Sequence, residues 1–227
     1  MKAMLLAAGR GERLRPLTEH TPKALVSVGG KPLMGWHLER LAAAGCREAV
    51  INVSHLAQQI IDYVADGQRF GLTVRYSREA EPLETAGGIA TALPLLGSAP
   101  FLLVNADIYC EVPLRPLLAH PLGGMLAHLV LVPNPPHRPQ GDFSLAAGHV
   151  GTASAPRYTY AGVAVMSPQL VQPVRRGDKA PLAPLLRSAA DERRISGEFF
   201  SGLWQDVGTA ERLAELEIQL ASRHETR

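Results

Sequence analysis

Continuous apolar runs and stretches of helical spacing alternate through the first half of the chain. Ala3–Ala7 is apolar throughout, the pattern of a strand buried on both faces. Pro32 opens a stretch of helical spacing that runs through Ala44, and Gly45 closes it. Proline in the first turn and glycine past the end is the asymmetry expected of a helix. Glu48–Val53 reads as a second strand, Leu56–Val64 as a helix, Leu72–Ser77 as a third strand, Gly87–Leu96 as a short helix and Phe101–Val104 as a fourth strand. This rhythm predicts a parallel sheet with helices on both faces. Beyond it the rhythm changes. Proline-rich sequence at Pro133–Pro139 interrupts strands expected at Ala127–Val132, Phe143–Leu145 and Tyr158–Met166. Leu182–Ala190 and Ala210–Ala221 have helical spacing, and Leu213, Leu216 and Leu220 form an apolar stripe in the second. No linker, repeat or low-complexity segment divides the chain, so one α/β domain over residues 1–227, with an elaborated second half, is the simplest organisation.

Composition narrows the partners. A chain of 227 residues with 46% hydrophobic content has ample material for a core. Its net charge of +2 favours neither nucleic acid nor an anionic membrane. Cys46 and Cys110 belong to no metal-spacing motif and fit reduced thiols in a cytoplasmic protein. No apolar run approaches the roughly 18 residues needed to span a bilayer. The N-terminus reads as a core strand that leads into a glycine loop, rather than as a signal peptide. The 8 histidines form no H-x-x-x-H pair, and only His137 stands near a candidate pocket.

The positive charge that matters is local. The first strand runs into Ala8-Gly9-Arg10-Gly11-Glu12-Arg13, where glycines let backbone N–H groups approach an anion. Arg13, Arg15 and Lys23 add fixed charge suited to a polyphosphate. Two better-known phosphate loops are excluded. No Gly-Lys-Ser/Thr follows a glycine loop anywhere, and the third position of a G-x-G-x-x-G fingerprint is Leu14. By itself this loop is either an anion cradle or a tight strand-exit turn. Strand four runs into Asn105-Ala106-Asp107, beyond the end of a parallel strand, where ligands bind in open sheets. Asp107 there either holds Mg²⁺ against triphosphate oxygens or makes a turn. Asp206, before the final helix, either caps that helix or binds metal. Thr85 either caps a helix or stands with Gly87 and Gly88 beside a flat ring. Asn134–Phe143, taken alone, is a solvated proline-rich loop.

The pattern L-A-A-G-x-G-x-R-L-x-P-L-T, followed by Pro22-Lys23, resembles the signature of the sugar-1-phosphate nucleotidyltransferases. Three further segments extend the likeness: Leu83–Gly88, Asn105–Asp107 and Trp204–Thr209. The resemblance implies an α/β, three-layer α/β/α fold with a Rossmann-like, mostly parallel mixed sheet, the GT-A-like fold of these enzymes. It implies a nucleotide-binding half over about residues 1–110 and a sugar-phosphate half over about residues 111–227. It places the nucleotide against Ala8, Gly9, Gly11, Glu12, Arg13, Lys23, Thr85, Gly87, Gly88 and Asn105. Asn105, Asp142 and Gly162 fall to the sugar phosphate, and Asp107 shares Mg²⁺ with Asp206. The resemblance implies that Arg13 and Lys23 are the catalytic cations. No general base is needed, since a sugar phosphate is ionised at neutral pH; positioning and charge neutralisation carry the reaction.

The order N-P-x-H-x-x-G-D-F in Asn134–Phe143, together with Leu83–Thr85, Lys179–Arg187 (KAPLAPLLR) and Ile195–Glu198, is similar to one subgroup, the N-acetylmuramic acid 1-phosphate uridylyltransferases of cell-wall recycling. That subgroup implies UTP and N-acetylmuramic acid 1-phosphate as substrates. Mannose- or heptose-1-phosphate guanylyltransferases are the nearest rivals. A non-catalytic nucleotide sensor would have lost the charges that Arg13, Lys23, Asp107 and Asp206 retain, and the broken third glycine argues against a dinucleotide-dependent oxidoreductase. Ala86, Ala106 and Tyr160-Ala161-Gly162 depart from the family pattern by small or aromatic exchanges. The chain stops without the C-terminal left-handed β-helix of larger relatives, and a monomer is the expectation.

Overall fold

Nine strands form the central sheet of the computed structural model, which describes residues 1–153 and 155–224. The first half contributes β1 (Lys2–Leu6), α1 (Leu17–His20), the ribbon of β2 (Ser27–Val28) and β3 (Lys31–Pro32), and α2 (Leu33–Ala44). It continues with β4 (Glu48–Val53), α3 (Ala57–Val64), β5 (Thr73–Arg78), α4 (Glu84–Leu96) and β6 (Phe101–Asn105). The second half adds β7 (Ile108–Cys110), α5 (Leu114–Ala119), β8 (Ala127–Val132), β9 (Phe143–Ala146), β10 (His149–Gly151) and β11 (Arg157–Met166). It ends with α6 (Leu182–Asp191), β12 (Ile195–Phe199), β13 (Trp204–Asp206) and α7 (Ala210–His224).

The strand order is β5-β4-β1-β6-β11-β8-β12-β10-β9. The first four strands are parallel, whereas β11 runs antiparallel to both β6 and β8. From β1 the chain passes through α2 to β4 on one side; from β5 it crosses through α4 to β6 on the other. The switch point therefore lies between β1 and β6, and a crevice opens beyond their carboxyl ends.

The sheet is covered on both faces because alternate side chains of each strand point oppositely. Leu5, Ile51 and Val104 pack with Leu38, Leu41 and Ile60 on one face. Met4, Val50 and Leu103 pack with Ile89 and Leu186 on the other. The α7 stripe finds its partner in a third cluster, where Leu216 and Leu220 cover Val28, Leu33 and Tyr109. No helix of the described residues is long and apolar enough to cross a membrane.

The expected elements are present with boundaries shifted by a residue or so, except that α7 runs three residues further, to His224, and that α4 begins early. α4 starts at Glu84, before the glycines instead of after them. Its first free N–H groups, on Ala86 and Gly87, donate to the Ala180 carbonyl at 3.0 and 3.1 Å. That partner is remote in sequence, so local spacing does not announce the start. Thr85 accordingly sits within the first turn and is not the cap, which is Leu83. The short elements β7, β10, β13, α1 and α5 carry too few residues for a periodicity to form.

Candidate functional site

The loop after β1 is folded by Gly11. Its φ of +66° is left-handed, and a Cβ there would lie 2.9 Å from Thr18 Cγ2 and 3.1 Å from Lys23 Cβ. Thr18 closes the loop by donating its hydroxyl to the Gly11 carbonyl at 2.8 Å. Gly9 has open space around its missing Cβ. Gly11 is thus required by the fold, while Gly9 leaves room for an incoming group. The Ala7 N–H, at the mouth of β1, donates to Asn52 Oδ1 at 2.8 Å. Asn52 in turn donates to Glu79 at 2.7 Å, and the other Glu79 oxygen accepts the Leu83 N–H at 3.0 Å. This buried chain ties β1, β4, β5 and the start of α4 together under the crevice.

Three connected cavities run along the crevice. The central one, about 190 Å³, is lined by Ala8, Gly9, Thr85, Asn105 and Asp107 over a floor of Asn52 and Glu79. A wider one, about 710 Å³, opens over Gly9, Gly11, Glu12, Arg13 and Lys23, with Lys179 and Gly208 on its far wall. The third, about 410 Å³, shares Thr85 and Asn105 with the first and extends to Arg138, Asp142, Tyr160 and Arg187. Lys23 borders the first two cavities, and its side chain is only 11% exposed. Its ammonium donates to Asp107 Oδ2 at 2.6 Å.

Asp107 and Asp206 are brought together by backbone pairing. β13 pairs antiparallel with β7, setting Asp206 opposite Ile108, and the Val207 N–H donates to the Asp107 carbonyl at 2.9 Å. Trp204 pins β13 by donating its indole N–H to the Ala161 carbonyl at 2.8 Å. Arg212 of α7 donates to Asp206 Oδ2 and approaches His137 Nε2 at 3.0 Å. Gly208 permits this, since a Cβ there would lie 2.8 Å from Arg212 Nη2. Asp206 Oδ1 is buried without a hydrogen-bond donor, although His137 Nε2 lies 3.2 Å away. A buried carboxylate oxygen without a hydrogen-bond donor among the described residues, on a strand paired next to Asp107, fits a hard divalent cation. Such a cation takes one or two carboxylates and leaves its other positions to water and phosphate. No group of three or more His, Cys, Asp or Glu ligands occurs among the described residues.

Several expected site residues have other positions. Gly87 and Gly88 are buried inside α4 and do not line the cavities. A Cβ on Gly87 would collide with the Asp178 carbonyl, and one on Gly88 would meet Asn52 and Glu79 at 2.8 Å. They let α4 seat closely, and Thr85 is the residue that reaches the crevice. Gly162 does not line a cavity either. It occupies a register shift of β11 at φ +76°, and a Cβ there would lie 2.7 Å from Asn105 Nδ2. Its absence of a side chain lets the Asn105 amide lie across β11. Asp142 lines the third cavity, but it braces the proline-rich loop. Its Oδ2 accepts the Tyr160 N–H at 2.9 Å and the Arg138 guanidinium at 3.3 Å. Burial raises the Tyr160 hydroxyl far above the ordinary tyrosine range, and that hydroxyl has no hydrogen-bond partner among the described residues.

Asn52, Glu79 and Arg212 belong to the site without any motif announcing them as such, whereas Lys179 and Arg187 bound a segment that resembles the uridylyltransferase subgroup. His137, noticed for its place in the proline-rich loop, meets Asp206 only through the fold.

The model of the nucleotidyl transferase family matches residues 2–141. An N-acetylmuramate alpha-1-phosphate uridylyltransferase of Neisseria meningitidis serogroup B is 49% identical over 224 residues, covering 96% of this chain and 97% of that protein. A protein of the same name from Caulobacter vibrioides is 33% identical over 244 residues, 96% of each chain. Among solved structures, a Bacillus anthracis protein assigned as a glucose-1-phosphate thymidylyltransferase, in complex with sucrose, superposes with a TM-score of 0.85. It is 18% identical and covers 97% of this chain and 95% of its own.

Proposed function

The chain belongs to the nucleotidyl transferase family, and from that premise we propose that it transfers a uridylyl group from UTP to N-acetylmuramic acid 1-phosphate. The products are UDP-N-acetylmuramic acid and pyrophosphate, in a step of peptidoglycan recycling in the cytoplasm. The names of the Neisseria and Caulobacter relatives support this choice of substrates. The observation that carries the reaction class is the meeting of Lys23, Asn105 and Asp107 at the mouth of β1 and β6.

In this reading residues 1–110 bind the nucleotide and residues 111–227 complete the acceptor site. The uracil and ribose occupy the central cavity against Ala8, Gly9 and Thr85. The β- and γ-phosphates lie in the wide cavity under Arg13 and the amides of Gly9–Arg13, beside Glu12. An oxygen of the sugar phosphate attacks the α-phosphorus, and the bond to pyrophosphate breaks. The attacking oxygen is already anionic, so no side chain has to remove a proton. The barrier is the approach of one anion to another, and fixed positive charge lowers it. Lys23, held between the two cavities, exchanges Asp107 for the α-phosphate; as a point charge on a flexible stem it can follow the developing negative charge. Asn105 faces both nucleotide and acceptor. Asp107 and Asp206 are the residues that would hold Mg²⁺, whose charge, when bound, offsets that of the phosphate oxygens. Arg212 and His137 hold the Asp206 carboxylate in place. Every residue invoked comes from one chain, so a monomer suffices.

Pyrophosphate release tests the reading, with N-acetylmuramic acid 1-phosphate and mannose 1-phosphate each offered against the four nucleoside triphosphates. UTP with the muramic acid derivative is expected to give the highest kcat/KM. A preference for GTP with mannose 1-phosphate would replace this reading by a guanylyltransferase.

A further inference from the structure

The third cavity has a charge arrangement that the phosphates do not explain. Arg138, from the proline-rich loop, and Arg187, from α6, both border it. Its two acids are already engaged: Asp142 accepts from Tyr160 N and Arg138, and Glu84 faces Lys179 at 3.8 Å. Arg187 makes no hydrogen bond or ion pair with any described residue. Arg138 holds Asp142 only loosely, at 3.3 and 3.4 Å, with its side chain 57% exposed. Ala183 and Arg187 are one helical turn apart on α6 and both line the cavity, so the small residue leaves space in front of the guanidinium. Phe143, Leu182 and Leu186 supply apolar wall around it.

The crevice therefore has two cationic poles. One, formed by Arg13, Lys23 and Lys179, belongs to the phosphate cavities. The other lies beyond Asn105 and Thr85, away from the reacting phosphates. An acceptor whose only anion is its 1-phosphate leaves the second pole unused. N-acetylmuramic acid 1-phosphate has a second anion, the carboxylate of its lactyl ether on C3, two ring carbons from the phosphate on C1. The lactyl and acetyl methyl groups suit the apolar wall.

We propose that Arg187, with Arg138, forms a carboxylate-binding subsite that recognises the lactyl group of the acceptor and so sets the sugar specificity. The proposal rests on the muramate reading of the preceding section. The free Arg187 fork is the primary ligand, because guanidinium and carboxylate match in a bidentate pair. Arg138 is recruited from its long contact with Asp142, and Asp142 keeps its bond from Tyr160 N.

The test compares N-acetylmuramic acid 1-phosphate with its lactyl carboxamide, which keeps shape and loses charge, using UTP and the full chain. Wild type is expected to prefer the acid roughly 10- to 100-fold in kcat/KM, mainly through KM. In Arg187→Ala the acid-to-amide ratio falls towards one, and an unchanged circular dichroism spectrum and urea midpoint show that the variant is folded. Arg187→Lys restores part of the preference. A wild-type acid-to-amide ratio in Arg187→Ala overturns the subsite and leaves the uridylyltransferase reading standing. Failure of wild type to use N-acetylmuramic acid 1-phosphate with any nucleotide overturns both.

Discussion

On the nucleotide side of Asn105, the groups that meet the crevice leave the ends of neighbouring parallel strands. Gly9–Arg13 follow β1 and Asp107 follows β6, and the β1–β6 register sets Leu6 opposite Asn105. On the acceptor side, Arg138 stands on an irregular loop and Arg187 on a helix, and no ladder connects them. The difference separates two jobs. Groups that act on the reacting phosphates must hold their spacing closely, and adjacent hydrogen-bonded strands provide that. Groups that select the sugar need only face a common cavity. They can change with loop and helix sequence while the phosphate machinery stays intact.

The largest effect should come from breaking the nucleotide side. Lys23→Ala is expected to lower kcat about 10²- to 10³-fold, or about 2.7–4 kcal/mol, by the same factor for every acceptor tested. Steady-state kinetics with circular dichroism on the same sample checks this. A loss confined to one sugar would erase the distinction between the two sides.

Gly162→Ala probes the joint between them. The left-handed φ of +76° and the 2.7 Å approach to Asn105 Nδ2 both oppose a methyl group. Stability should fall by about 1–3 kcal/mol in urea titrations. Displacement of the Asn105 amide should raise KM for the sugar phosphate more than KM for UTP.

A smaller effect concerns the support under the nucleotide side. Burial, and then Arg40, lower the His37 pKa to about 4, so its ring is neutral at pH 7. The folded value lies below the unfolded value, so the unfolded chain binds the proton more readily. The stability from this group is complete above pH 6.5 and is lost as pH falls towards about 4. Between pH 6 and pH 5 the loss should be roughly 1 kcal/mol. A His37→Gln variant, compared by urea midpoint at both values, should lack that component; an unchanged slope would remove His37 as its source.

Much of the first half was legible because its strands are long and apolar and its motif residues are contiguous. Glu48–Val53 and Ala127–Val132 are strands over the same residues that their patterns predict. The start of α4 was not legible, because the acceptor for its first N–H groups is the carbonyl of Ala180. For the same reason Gly87 and Gly88, motif residues by spacing, serve packing, and Gly162 acts through Asn105. A motif marks where small residues are needed without saying whether a ligand or the protein fills the space.

The amino-acid sequence by itself determined the parallel first half, the glycine-arginine loop after its first strand and the presence of one mid-chain and one late candidate carboxylate. Those features depend on local periodicity and on neighbours along the chain. Only the tertiary structure decided that Asp206 adjoins Asp107, that Asn52 and Glu79 lie under the crevice, and that Arg187 and Arg138 border one cavity. Such meetings depend on strand pairing and helix seating between distant segments, which side-chain spacing along the chain does not encode.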